Sequence, residues 1–131
     1  MNPERIISIR YDLFAARDFD GLRQQMTPEV VWHVPGRNPH AGKHVGRDAG
    51  VDVLRGIVDL SEGTSKAEPR AVLAGDAYVA AVEAGSAQRY GRDIELLNVT
   101  LFRIEREKIA EMWFLPGDQH AIDAFWAADA E

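Results

Sequence analysis

The residues best suited to chemistry are few in this chain and lie far apart in sequence. His33 sits in the β-rich run Val30–Val34, and an unperturbed imidazole pKa of about 6.5 suits a proton donor or acceptor near neutrality. Tyr11 lies on the edge of an apolar helical face beside Ile7 and Phe14, and Asn98 lies among Leu96, Thr100 and Phe102. A phenol and an amide both donate hydrogen bonds. Abstracting a proton next to a carbonyl builds charge on oxygen, and donors already aimed at that oxygen lower the barrier. His33 as acid/base, with Tyr11 and Asn98 as oxygen binders, is therefore a candidate catalytic set. Each has a structural alternative: a satisfied histidine, a core tyrosine with its hydroxyl bonded internally, and an amide bonded to a neighbour.

Other residues are candidates for contacting a ligand. Trp32, Trp113 and Phe102 offer aromatic surface, with core packing as the alternative. Glu111 is two residues from Trp113 and shares its face of a strand, so it is a second base if that face lines a cavity and a solvated charge if not. Glu83 is a weaker candidate of the same kind. Asp118 can cap a closing helix or act as an acid. His40 and His44 are four apart, but Gly42 between Pro39 and Gly46 argues against the helix that would converge them on a metal. His40 is expected at a cavity mouth, and no metal or other cofactor is expected.

The elements that must position these groups follow from periodicity. Pro3 and Glu4 suit a first helical turn, followed by Ile6, Ile7, Ile9, Leu13 and Phe14 at helical spacing. Asp18 can cap a short helix from Phe19 to about Met26, which Thr27-Pro28 ends. After the Val30–Val34 strand, Pro35-Gly36 opens a loop to about Val45. A third helix is predicted over Arg47–Leu60. Strands are predicted over Lys66–Leu73, Tyr78–Arg89, Asp93–Glu105 and Lys108–Leu115, and a helix carrying Ile122, Phe125 and Trp126 closes the chain. Helices first and long antiparallel strands later signal an α+β fold.

At 131 residues the chain has the length of one domain, predicted over 1–131. Its net charge of −6 argues against nucleic acid and anionic membranes as partners. No run approaches a membrane span. With no cysteine, disulfides, thiol nucleophiles and cysteine-held metals are excluded. The opening MNPERIISIR lacks the plan of a secretory signal, so a cytoplasmic location is expected.

Alternation along Leu96–Phe102 puts Leu96, Asn98, Thr100 and Phe102 on one face and Leu97, Val99 and Leu101 on the other. Both faces are apolar. One can pack on helices; the other predicts a homodimer through the outer sheet face. His33 and Trp32 are adjacent, so a regular strand lets only one of them face a cavity.

Arg10-Tyr11, the stretch VVWHVPGRNPHAGKHVGRDA, the segment NVTLFRIEREKIAEMW and the closing GDQHAIDAFW together resemble the ketosteroid isomerase and SnoaL-like polyketide cyclase superfamily, which has the nuclear transport factor two-like fold. The resemblance spans Ile6 to Trp126. It implies a cone-shaped curved antiparallel sheet wrapped around N-terminal helices, with a short C-terminal helix and an apolar cavity. It also implies that Tyr11 matches a tyrosine that donates to an enolate oxygen, and His33 an aspartate base. Asn98 matches a second oxyanion donor, a protonated aspartate in the isomerase, and Trp113 a pocket aromatic. SnoaL-type cyclases often carry Asp after the last-strand Trp; here that place is Phe114. The expected function is cofactor-independent acid/base chemistry, of isomerase, cyclase or dehydratase type, on an apolar carbonyl or epoxide compound. A non-enzymatic binding or dimerisation module on the same fold is the alternative.

Overall fold

The computed structural model describes residues 1–127. Helix α1 (Pro3–Ala15) starts where Asn2 accepts a hydrogen bond from the Arg5 amide at 2.8 Å, and it buries Ile6, Ile7, Arg10, Tyr11 and Phe14 along one stripe. Helix α2 (Phe19–Gln24) is capped by Asp18. Strands β1 (Met26–Val34) and β2 (Gly42–Val45) precede helix α3 (Arg47–Leu60). Three hairpin-connected strands follow, β3 (Lys66–Gly75), β4 (Tyr78–Arg89) and β5 (Arg92–Glu105). Strand β6 (Lys108–Leu115) and helix α4 (Gln119–Trp126) complete the α+β architecture.

The six strands form one sheet in the order β2-β1-β6-β5-β4-β3. Every pair is antiparallel except β1 with β6, which is parallel. The structure departs from the sequence expectation most at two places, and β1, β3 and β5 also extend beyond their predicted bounds. The second helix ends at Gln24, because Met26 already pairs with Ile109; Thr27 and Pro28 fall in the irregularity between Met26 and Val31, where a missing N–H is tolerated. The loop after Pro35 contains β2, whose Lys43 and Val45 pair with His33 and Val31. Local composition hid this strand, since Gly42 and Gly46 bound a run of only four residues.

One face of the sheet packs on the helices. Ile7, Met26, Val30, Val79 and Phe102 are almost wholly buried there, each worth about 1.5–3 kcal/mol in removed apolar surface. No helix among the described residues packs on the opposite face, and Leu97 remains 60% exposed on it. Among the described residues, no helix is long and apolar enough to cross a membrane.

The lead-in to α4 touches β5 very closely. The Gly117 amide donates to Asn98 Oδ1 at 3.0 Å, and a β-carbon on Gly117 would come within 2.2 Å of the Leu97 carbonyl oxygen. Backbone cannot swing aside as a side-chain tip can. Gly117→Ala is expected to cost about 1–3 kcal/mol and lower Tm in thermal denaturation; an unchanged Tm would contradict this approach.

Candidate functional site

The helices do not fill the concave side of the sheet. They leave an open, mostly apolar cavity in which the centre of a water-sized sphere has about 150 Å³ to move, a concavity of the kind small organic ligands occupy. Phe14 of α1, Leu54 and Ile57 of α3, Leu96 of β5 and Phe114 of β6 supply apolar wall. Ile122 and Trp126 of α4 close over one end. Asn38 places the loop after β1 at the mouth. That loop is fastened by Asp123, whose Oδ1 accepts from the Arg37 amide at 2.9 Å and Asn38 Nδ2 at 2.8 Å. The Asn38 bond, then the Arg37 one, holds the Asp123 carboxyl below the usual carboxylate range.

The polar floor of the cavity is built on a cross-strand pair. Glu83 of β4 lies directly opposite Asn98 of β5, and both line the cavity. Glu83 Oε1 accepts from the Tyr11 hydroxyl at 2.8 Å and from Thr100 Oγ1 at 2.5 Å. Oε2 makes no hydrogen bond among the described residues. Asn98 has its oxygen on the Gly117 amide, leaving its NH2 toward the cavity; a β-carbon on Gly85 would come within 2.9 Å of that nitrogen, so glycine keeps the space. Burial pushes the Tyr11 phenol well above its ordinary range, with Glu83 adding to the rise, so Tyr11 stays a donor.

The sequence-predicted residues divide between the two faces. Asn98, Trp32 and His40 line the cavity. Tyr11 reaches its floor, but its hydroxyl is committed to Glu83 rather than open to a ligand oxygen. Phe102 is fully buried beneath the floor. His33, expected as the acid/base of the cavity, lies on the opposite face with Glu111 and Trp113. The physical reason is regular alternation: β1 pairs Trp32 with Met112 and His33 with Trp113, with no bulge between them. There His33 Nε2 donates to Glu111 Oε2 at 2.6 Å, and the ring stacks on Trp113 at 5.3 Å. The bond from His33, with a weaker one from Arg103, holds the Glu111 carboxyl below its usual range. Asp118 is exposed and caps α4 by accepting from the Ala121 amide at 3.0 Å.

Two cavity groups were underweighted or missed in the sequence. Glu83 is the single acid in the row Val79, Ala81, Glu83, Gly85, Ala87, and Arg10 is the single charge in the buried stripe of α1. A charge breaking an apolar row was the readable signal in both cases. Among the described residues, no three histidine, aspartate or glutamate side chains gather as a metal would require.

His40 is 6% exposed, edge-on to Trp126 at 4.5 Å, with Nε2 buried and unpartnered among the described residues. Burial, then the charge of Arg89 and His44, lowers its pKa to about 4. Between that value and the ordinary 6.5 or so, the unfolded chain binds a proton that the folded chain excludes. Stability should therefore fall as pH drops through this window, and less so in H40Q, as read by Tm against pH. An NMR titration placing His40 among ordinary exposed histidines would contradict its burial.

A model of the SnoaL-like domain family matches residues 10–112. No curated protein matches the chain. Among solved structures, Bal32a from a soil-derived mobile gene cassette is similar at 26% identity and a TM-score of 0.91, over 94% of this chain and 95% of that one. A protein of unknown function with a cystatin-like fold from Xanthomonas campestris matches at 29% identity and 0.91, over 98% and 100%. IdmH from Streptomyces antibioticus, a candidate polyketide cyclase, matches at 19% identity and 0.75, over 89% and 93%. The sheet order, the helix-lined concavity and the family match lead to one conclusion: this chain belongs to the SnoaL-like domain family.

Proposed function

We propose that the protein is a cofactor-independent enzyme that abstracts a proton next to a carbonyl of an apolar small molecule, with Glu83 as the base. The observation that carries this reading is the state of the Glu83 carboxylate. One oxygen is held by two hydroxyls and the other is unengaged among the described residues, and Glu83 stands opposite Asn98 in the strand register. Tyr11 and Thr100 are positioning residues. Glu83 Oε2 takes the proton, the C–H electron pair becomes the C=C bond of the enolate as the C=O π pair moves onto oxygen, and the Asn98 NH2 donates to that oxygen as its charge grows. Apolar walls exclude the water that would weaken these contacts. Reprotonation elsewhere completes an isomerisation, attack on a second carbonyl a cyclisation, and loss of a β-hydroxyl a dehydration. Likeness in fold to the candidate cyclase IdmH is compatible with all three. The expected result is accelerated α-deuterium incorporation into a small panel of apolar cyclic ketones, followed by NMR in D2O. E83Q should slow it by about 100-fold or more; equal rates in wild type and E83Q would remove Glu83 from the role.

We also propose a homodimer formed through the uncovered sheet face. Leu73, Tyr78, Leu97 and Leu115 are all exposed there, more apolar surface than a solvated sheet face needs. Three of the polar groups within it, His33, Glu111 and Arg103, already satisfy one another. A twofold axis would let this face cover itself. Light scattering at micromolar concentration should read twice the chain mass, and L97E should shift it to the monomer. A wild-type monomer sinks the proposal.

A further inference from the structure

Arg10 is unexplained by the chemistry above. Its guanidinium lies over the rings of Phe102, Tyr11 and Trp32 at 5.0, 5.2 and 5.7 Å. The residue is 8% exposed and borders the cavity, yet it makes no hydrogen bond or ion pair among the described residues. Removing a guanidinium from water without an anion is costly, and ring faces recover only part of that cost. Glu83 does not supply the anion: no ion pair joins them, and one of its oxygens is held by Tyr11 and Thr100.

The rest of the lining points the same way. Among the described residues its charged side chains are Arg10, Lys66 at the rim and Glu83, while His40 stays neutral near pH 7. The described lining is thus net positive inside a chain whose net charge is −6. Its positive charge belongs to the site rather than to the general surface.

We propose that Arg10 is an anion receptor and that the ligand is an apolar organic acid bound as its carboxylate. The planar guanidinium fork matches the two oxygens of a carboxylate, whereas an isolated ketone would meet it with only one. In such a ligand the carboxylate sits on Arg10, the hydrocarbon body lies between Phe14, Leu54 and Ile57, and the reacting carbon faces Glu83. The inference rests on the cavity being the ligand site and names the class of molecule it takes.

The test uses 2-naphthoate and its neutral analogue 2-naphthamide, titrated by isothermal calorimetry and tryptophan fluorescence at pH 7. Wild type should bind the carboxylate about 10- to 100-fold more tightly. R10M should remove that preference while leaving the amide's affinity in place, which also shows that the cavity is intact. R10K, which keeps the charge but not the fork, should retain part of it. E83Q, which removes a like charge, should bind the carboxylate more tightly still. Equal binding of both probes by wild type, binding of neither, or an equal loss of both in R10M would overturn the proposal. The two readings fail separately. Exchange that persists in E83Q removes the base while the carboxylate preference stands, and equal probe affinities with exchange lost in E83Q do the reverse.

Discussion

The carboxylate of Glu83, buried under an apolar ceiling of helices, is the constraint around which the molecule is organised. A charge removed from water must be given partners, and here they come from two other elements: Tyr11 of α1 and Thr100 of β5. Those two bonds tie the first helix to the middle of the sheet. They orient the carboxylate, and they leave its second oxygen toward the cavity. The same bonds explain why the phenol of Tyr11 remains protonated and why it is not available to a ligand.

The cavity around that carboxylate is a consequence of curvature and of side-chain size. Long strands β4 and β5 wrap the helices, but Gly85, Ser86 and Ala87 are too small to fill the space beneath α4. Asn98 occupies the gap left by Gly85 and is fixed by the Gly117 amide, so the floor is held at both ends. At the mouth, Asp123 binds the loop after β1 to α4, which joins two segments more than eighty residues apart in sequence. Glu83, Asn98 and Arg10 are thereby mounted on strands and a helix rather than on loops, the arrangement that best preserves geometry.

The other side of the sheet solves a different problem. His33 and Arg103 hydrogen-bond Glu111 amid exposed leucines, and His33 stacks on Trp113. These are the residue types that a reader of the sequence associates with catalysis. Their chemistry here is mutual satisfaction on the outer face, where two donors serve one carboxylate.

Periodicity by itself determined the order of every element but the short β2, the apolar stripe of α1, the two faces of Leu96–Phe102 and the helix cap at Asp118, because these depend on residues near one another in the chain. The motifs that resemble the SnoaL-like family were enough to imply the fold. Tertiary structure alone decided which of Trp32 and His33 faces the cavity, since the sign of an alternation is set by the partner strand. The register of β1 on β6 made that choice. It also decided that Glu83, not His33, meets Tyr11, a contact across 72 residues that no local pattern encodes. The anomaly was visible in the sequence as a lone acid in an apolar row. Its partners were not, because hydrogen bonds between side chains are specified only once the helix has docked on the sheet.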